Sequence, residues 1–437
     1  MKKTMTMGAM TVALLAAVGC SETETDLIIN PGNDDQVSLG IAANLKVDAS
    51  SKAATKSVVA GELITYDIAS YSNADSVPGL GLVITNKDVS DWYSPDAGLY
   101  TGHHIWYMGS EKGADWKSIK QKETTFAATK EVPYYLTKEI GQVFAYYPYN
   151  KDFDPQDVSD LKLPIKVIAS GMIDASTNNA KKYWKVSGSN GSWSSTPKTD
   201  QVNLALSTEK DYLYFAGTGG RYVNNGRAVG ETPVKPDADP DNENPDNPGY
   251  KINLDMKHAM SMITFRVYDG GKLSTKNVNF TKFRIKNAGE SATNPFKMGD
   301  GFMSLTDGTI IPDNLQDGDI TRTISNYILM RQLVSGEKED AQSFILNGTA
   351  VNPKQVCKTV SAIIYPTEFK EGDIEVIITL QEEGADAAVD YPVILPDNNW
   401  LANSNHVYTL SAGRNKLTVM DVSVEKWDDV EEDELPL

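Results

Sequence analysis

Runs in which every second residue is apolar recur along most of this chain, and they leave few folds open to it. Val37, Leu39, Ile41, Ala43 and Leu45 alternate with Ser38, Gly40, Ala42 and Asn44. Leu161, Leu163, Ile165 and Val167 repeat the pattern, as do Val202, Leu204 and Leu206. Later come Ile263, Phe265 and Val267, then Ile374, Val376, Ile378 and Leu380. Successive side chains of a strand point to opposite faces, so these runs read as half-buried strands. Turn residues punctuate them at Asn73 to Pro78, Asp307-Gly308 and Asn347-Gly348. No long stretch sustains a helical period; only Tyr327 to Leu333 reads as a short helix. Many strands joined by polar turns predict an all-β chain of packed sandwiches rather than βαβ units. With 437 residues, more than one core is expected.

One segment interrupts the strand pattern. From Glu231 to Gly249 the chain is almost wholly Pro, Asp, Asn and Glu, with nothing to bury. Its prolines remove backbone donors and favour an extended, semi-rigid spacer. This predicts a first sandwich domain over residues 36–225, a linker over 226–249 and a second sandwich domain over 250–437. Asp237, Asp239, Asp241 and Glu243 alternate along the spacer. The run lacks the glycine and the distal glutamate of a calcium-binding loop, so a solvated linker is expected there.

The amino end carries a different signal. Lys2 and Lys3 precede an apolar run from Val12 to Val18, which Gly19-Cys20 closes. The run is too short to cross a bilayer core, which takes roughly 20 apolar residues. It reads as the apolar stretch of a removable export signal over residues 1–19. Ala16-Ala17-Val18-Gly19-Cys20 resembles a bacterial lipobox, with Ala17 where leucine is usual, and predicts lipid on Cys20. An ordinary secretory signal that happens to contain a cysteine is the alternative. Residues 20–35 then begin with the acidic Ser21-Glu22-Thr23-Glu24-Thr25-Asp26, the composition of a flexible tether.

The formal net charge is −18, more negative still once Lys2 and Lys3 depart. That balance argues against a nucleic-acid partner, which needs a basic face to meet phosphates. It suits an exposed protein kept soluble by self-repulsion. Only two cysteines occur, so with Cys20 lipidated Cys357 has no partner and no disulfide framework forms. The four histidines are His103, His104, His258 and His406. The first two are adjacent, which in a strand sends their rings to opposite faces, and the others stand alone in strand-like settings. Core or strand-face roles fit all four better than metal ligation. There is no zinc-protease helix motif, no nucleophile elbow and no phosphate loop, and Gly217 to Gly220 lacks the lysine that the last requires. Carboxylates are too abundant for any pair to single out a glycosidase. These readings predict no catalytic residue, no cofactor, no metal site and no enzyme.

Several further segments carry a likeness. Val132-Pro133-Tyr134-Tyr135 precedes Val143-Phe144-Ala145-Tyr146-Tyr147-Pro148-Tyr149, and Asp211-Tyr212-Leu213-Tyr214-Phe215-Ala216 follows. His258-Ala259-Met260-Ser261 leads into the strand Met262 to Val267. The chain closes with Trp400 to Leu410, then Leu417-Thr418-Val419 and Val422-Ser423-Val424-Glu425-Lys426-Trp427. In order and spacing these segments resemble the fimbrillin family, the structural subunits of type V pili on Bacteroidetes surfaces. The tether after Cys20 looks like the acidic tag that directs lipoproteins of those bacteria to the outer face of the outer membrane.

The resemblance implies two transthyretin-like β-sandwiches, anchorage to the outer membrane through Cys20, and other fimbrial subunits as partners in a homo- or hetero-polymer. It also implies adhesion to a host or bacterial surface ligand. In the family an amino-terminal strand is cut away and a neighbour's strand fills the groove, a form of β-strand addition. Val37, Leu39, Ile41, Ala43 and Leu45 are the candidate excised strand, with Lys46, Lys52 and Lys56 as candidate cleavage points. No arginine precedes Arg221, so an arginine-only protease has no target there. An ordinary first strand followed by surface lysines is the competing reading. Leu417, Val419, Val422, Val424 and Trp427 are the candidate donor strand, with a register break at Met420-Asp421. Only Ser411 to Lys416 separates that run from the strand before it, which favours a hairpin kept within its own domain. A stalk subunit and a tip or accessory subunit therefore both stand. A non-polymerising surface lipoprotein that binds glycan or host protein is the alternative, with Trp92, Trp106, Trp116, Trp184 and Trp193 as candidate sugar-stacking residues.

Overall fold

The protein is described by a computed structural model over residues 37–45, 80–93, 104–109, 116–120, 134–150, 152–153, 155, 157–175, 183–185, 192–194, 202–206, 208–215, 221–224, 249–271, 273–289, 293–333, 344–347, 349–351, 358–414 and 416–426. The fold is all-β, and the only helical element among the described residues is a single 3₁₀ turn at Val158–Asp160. The main strands before the linker are β1 (Gly40–Leu45), β2 (Leu80–Asn86), β3 (His104–Gly109), β4 (Trp116–Lys120), β5 (Gly141–Tyr147), β6 (Lys162–Val167), β7 (Ser170–Asp174), β8 (Val202–Leu204) and β9 (Leu213–Phe215). After it come β10 (Lys251–His258), β11 (Ser261–Asp269), β12 (Val278–Asn287), β13 (Lys297–Ser304), β14 (Ile310–Asp317), β15 (Asp319–Ser325), β16 (Lys358–Ile364), β17 (Ile374–Glu382), β18 (Val389–Ile394), β19 (Ser404–Ala412) and β20 (Leu417–Lys426).

Four sheets organise these strands. The first runs β1-β10-β9-β5-β2-β3-β4. The second runs β8-β16-β11-β19-β20, the third β18-β17-β12-β15-β7 and the fourth β14-β13-β6. The sheets do not divide where the composition of the chain does. Strand β10 comes after the spacer yet sits in the first sheet, whereas β6, β7 and β8 precede it and pair with β13, β15 and β16. The spacer itself, residues 226–248, lies outside the described residues.

The alternating runs bury the faces that their periodicity predicts. Along β6, Leu163, Ile165 and Val167 are buried while Lys162, Pro164 and Lys166 are exposed. Along β17, Ile374, Val376, Ile378 and Leu380 all enter the core. That core lies between the second and third sheets, where Phe265 touches Phe283 at 5.3 Å and Tyr408 at 6.0 Å between ring centroids. A second core forms on one face of the first sheet around Leu82, Ile84, Val143, Tyr147, Leu254 and Met256. Val83, Phe144 and Tyr146 leave the opposite face of that sheet to join the larger core. With both faces covered, β2 and β5 need no polar alternation and read as continuous apolar runs.

Tyr327 to Leu333 is not helical. Asn326 turns the chain with φ 57°, and Tyr327 O then accepts from Phe280 N while Leu329 N donates to Val278 O. Backbone groups that a helix would need are taken by the edge of β12, and Arg331–Gln332 forms a short strand. The Asp307-Gly308 turn forms as its residues dictate: Gly308 takes φ 75° and Thr309 N donates to Asp307 Oδ1.

Candidate functional site

Both terminal strands lie at sheet edges. At the amino end, Val37–Ser38 pairs antiparallel with Tyr135–Leu136, and β1 then pairs in parallel with β10 from Gly40↔Lys251 to Leu45↔Met256. Leu39 N donates to Tyr134 O and Gly40 N to Tyr250 O, each at 2.8 Å. Leu39 is 5% exposed and enters the core beside Tyr134, Leu136 and Ile252, with Val37 and Ile41 packed against the same cluster. Burying one such side chain contributes about 1.5–3 kcal/mol. On its other side β10 pairs with β9, among the described residues, over Met256 to His258. Among the described residues, β1 is therefore the only ladder partner of Lys251 to Asp255.

At the carboxyl end, among the described residues, β20 pairs with β19 alone and forms the outer edge of the second sheet. Gly413 N donates to Lys416 O at 3.0 Å, so the connecting loop is short. The ladder shifts where Thr409 faces Asp421 and Leu410 faces Val419, which leaves Met420 as the unpaired residue of a bulge. Leu417 is buried, Val419 and Val422 pack partly against the core, and Val424 is 58% exposed although it pairs with the fully buried His406. The inward face of β20 is thus progressively uncovered toward its end.

Between these edges lies a set of buried polar contacts. His258 Nδ1 meets Asp211 Oδ1 at 2.8 Å with both side chains out of solvent. Two residues earlier, Glu209 meets Arg322 of β15, which also donates to Ile168 O at 2.9 Å. Burial pushes the Glu209 carboxyl up and the Arg322 guanidinium opposes the shift. One short connector, residues 208–212, is therefore pinned to the third sheet by one pair and to the first sheet by the other. Burial also holds the His406 imidazole down, to about 4, and Leu401 N donates to its Nε2 at 3.0 Å. Arg221 stands over the Phe144 and Phe215 rings at 5.3 and 5.4 Å, and its burial lowers the guanidinium from its ordinary value.

Of the residues singled out by sequence, Val37, Leu39 and Ile41 come together on one buried face, and Ala43 and Leu45 continue the same strand. Leu417, Val419, Val422 and Val424 share β20. Cys20, Lys46, Lys52, Lys56, His103, Cys357 and Trp427 lie outside the described residues. Trp92 packs partly against the core. Trp106 and Trp116 lie in β3 and β4, and Trp184 faces Trp193 across a short antiparallel pair. Sequence reasoning missed Asp211, Glu209, Arg322 and Asn403 as structural polar groups, because nothing local marks a lone acid as the partner of a distant base.

The fimbrillin-like family model matches residues 237–427. Over that stretch the chain is similar to the fimbrillin-like family. The family is one of fimbrial proteins rather than of enzymes. No curated protein matches the chain in sequence. Among solved structures, a candidate cell adhesion protein from Bacteroides ovatus is 13% identical with a TM-score of 0.43, over 91% of this chain and 99% of that one. A second from Bacteroides uniformis is 12% identical with a TM-score of 0.40, over 90% and 100%. The tip fimbrial protein Mfa3 from Porphyromonas gingivalis, truncated at its carboxyl end, is 9% identical with a TM-score of 0.31, over 82% and 97%.

Proposed function

We propose that this fimbrillin-like chain is a lipid-anchored subunit of a cell-surface fimbrium that joins its neighbours by exchanging edge strands. The observation that carries the reading is the place of β1: an edge strand that fills an apolar groove and supplies the only described ladder to the first half of β10. Cutting the chain after Lys46, Lys52 or Lys56 frees that strand from the body of the subunit. Its departure exposes unpaired backbone along β10 and the apolar wall formed by Tyr134, Leu136 and Ile252. A neighbour's strand then restores both ladder and core, with alternate side chains filling the places of Leu39 and Ile41.

Lipid on Cys20 holds the unassembled subunit at the outer membrane. Partners are further copies or other fimbrial subunits, and the outer end of the assembly is free to meet a host or bacterial surface ligand. The extended ladder between β19 and β20 favours a hairpin that stays with its own subunit, which suits a tip or accessory subunit; the free edge and exposed Val424 suit a stalk subunit that donates.

Limited trypsin treatment separates the two. A stalk subunit trimmed near residues 46–56 forms a ladder of oligomers resistant to mild detergent. A tip or accessory subunit stays monomeric until a stalk subunit is added. A trimmed protein that joins neither itself nor any fimbrial subunit overturns the reading. Replacing Cys20 with serine releases the protein from membranes; retention overturns the lipid anchor.

A further inference from the structure

The Pro- and Asp-rich spacer begins and ends at one place. Asn224 N donates to Gly249 O at 3.0 Å, Gly249 N donates to Tyr222 O at 3.2 Å, and Val223 forms a parallel bridge with Gly249. The chain thus leaves the described fold after Asn224 and re-enters it beside the same residue. On either side of that point its two parts cross over. Strands β6, β7 and β8 precede the spacer, and each is paired along its whole length with a strand that follows it. The partners are Gly299 to Ser304 for β6, Thr321 to Ser325 for β7 and Lys358 to Val360 for β8. In the other direction β10, after the spacer, is laddered to β9 over Met256 to His258.

The crossing strands carry their apolar faces with them. Leu163, Ile165, Val167, Ile173 and Leu204 lie in the same core as Phe265, Phe283, Val360 and Ile378. Ile252, Leu254 and Met256 of β10 lie in the other core, with Leu82 and Val143. Polar contacts fasten the crossing. Glu209 Oε1 accepts from Arg322 of β15 and from Ile363 N of β16, the latter at 3.4 Å. Arg322 donates onward to Ile168 O, just past β6, at 2.9 Å. One carboxylate from before the spacer therefore ties the third sheet to the second, through a guanidinium that is fully enclosed. Breaking such a pair strands a buried charge, which is far costlier than losing an exposed one. Asp211 and His258, also out of solvent, form a second pair across the spacer.

We propose that the stretches before and after the spacer are mutual partners, each completing the other's sheets, so that a subunit opened in the spacer stays one body. Cutting there removes one covalent connection between parts already joined by the β6–β13, β7–β15, β8–β16 and β9–β10 ladders. Separation requires these ladders, the shared core and both buried polar pairs to fail together, so they open as one cooperative unit. Tension applied at either end of the chain passes through the ladders and bypasses the spacer. Arg227 lies in the spacer, so a trypsin-like protease that trims the amino end has a second target there, and a cut at it leaves the subunit whole. That consequence for processing rests on the strand-exchange reading above; the interlock itself does not.

The test uses the full chain with the recognition sequence of a site-specific protease inserted after Asp239. Once cutting is complete, the two pieces co-elute in gel filtration at the size of the uncut chain after dilution to about 1 µM, as partners with a Kd below that value do. Amide hydrogen exchange distinguishes an interlock from loose adhesion: rates in β6, β7 and β8 stay within about threefold of the uncut protein. A second variant replaces residues 226–248 with a Gly-Ser loop of about four residues. Because Asn224 and Gly249 already touch, the short loop closes without strain and the same strands keep their protection. Pieces that separate without denaturant, a larger rise in exchange of β6 to β8 on cutting, or a shortened chain that loses that protection each overturn the interlock. None of these measurements involves polymerisation after trimming, so strand exchange and interlock fail separately.

Discussion

His406 illustrates how one buried side chain sets a condition on the whole carboxyl edge. It is fully enclosed and serves as an acceptor for Leu401 N, a role only the neutral ring can fill. Its folded value of about 4 lies below the ordinary 6.5, so the unfolded chain binds the extra proton first as pH falls. Stability from this group is whole above pH 6.5, declines as pH drops through the window from 6.5 to about 4, and is fully lost below it. Near pH 5 the loss is about 2 kcal/mol. Urea melts at pH 7 and pH 5 should show that drop in the wild type and a much smaller one in His406→Gln, whose amide oxygen keeps the acceptor without a titrating ring. Equal drops in both would assign the acid sensitivity elsewhere.

Gly81 makes a second argument from a single position. It pairs with Tyr146, and a Cβ built there would stand 2.0 Å from the phenol ring. That ring is fully buried and packs edge-on against Phe153 at 5.3 Å, so it has no free direction in which to retreat. Gly81→Ala should cost about 2–3 kcal/mol, of the size of other overpacked cores. A cost below about half a kcal/mol would mean the ring finds another rotamer.

Among the strands, the two edges look alike in sequence and differ in what they bury. Leu39 and Val424 both occupy the apolar phase of an alternating run, yet one is 5% exposed and the other 58%. Leu39→Ala should cost about 2–3 kcal/mol in denaturant melts, and Val424→Ala no more than about 0.5 kcal/mol. A large loss at Val424 would show that something covers it in solution. The alternation announces which face turns inward; it carries no information on whether a second sheet lies opposite.

The same limit explains what else was legible. Strands such as Leu163 to Val167 and Ile374 to Leu380, the turn at Asp307-Gly308 and the break in register near Met420 all come from local period and turn chemistry. Tyr327 to Leu333 has the apolar spacing of a helix and is not one, because that spacing is decided by which side chains fill the core below β12, a tertiary matter. The four histidines offered the buried His258 without its reason, since Asp211 lies 47 positions earlier and Asn403 lies 145 later. Partners that distant leave no mark in spacing.

At the scale of the molecule the decisive quantity is charge. The ladder of Lys282–Asp390, Lys286–Glu375 and Lys297–Asp317 pairs balances charge locally on the outer faces of the third and fourth sheets. Pairs that reach solvent, as Lys282–Asp390 and Lys297–Asp317 do, contribute little to stability. They leave the net excess of −18 untouched, and under the strand-exchange proposal two copies that approach must bring those fields together. On that proposal the contacts that reward the approach are backbone ladder bonds and aliphatic burial in the groove along β10, which salt scarcely weakens. Repulsion is different: it reaches across a Debye length of about 30 Å at 10 mM salt and only about 8 Å near 150 mM. Association of trimmed subunits should therefore speed up as salt is raised, by about tenfold across that range, the reverse of an association steered by opposite charges. Light scattering after trypsin trimming, at matched protein concentrations and graded sodium chloride, reads the rate directly. A rate that falls with salt would mean that a basic patch meets an acidic one at the joint, and the picture of a groove filled mainly by ladder and aliphatic contacts would give way to one of charge complementarity.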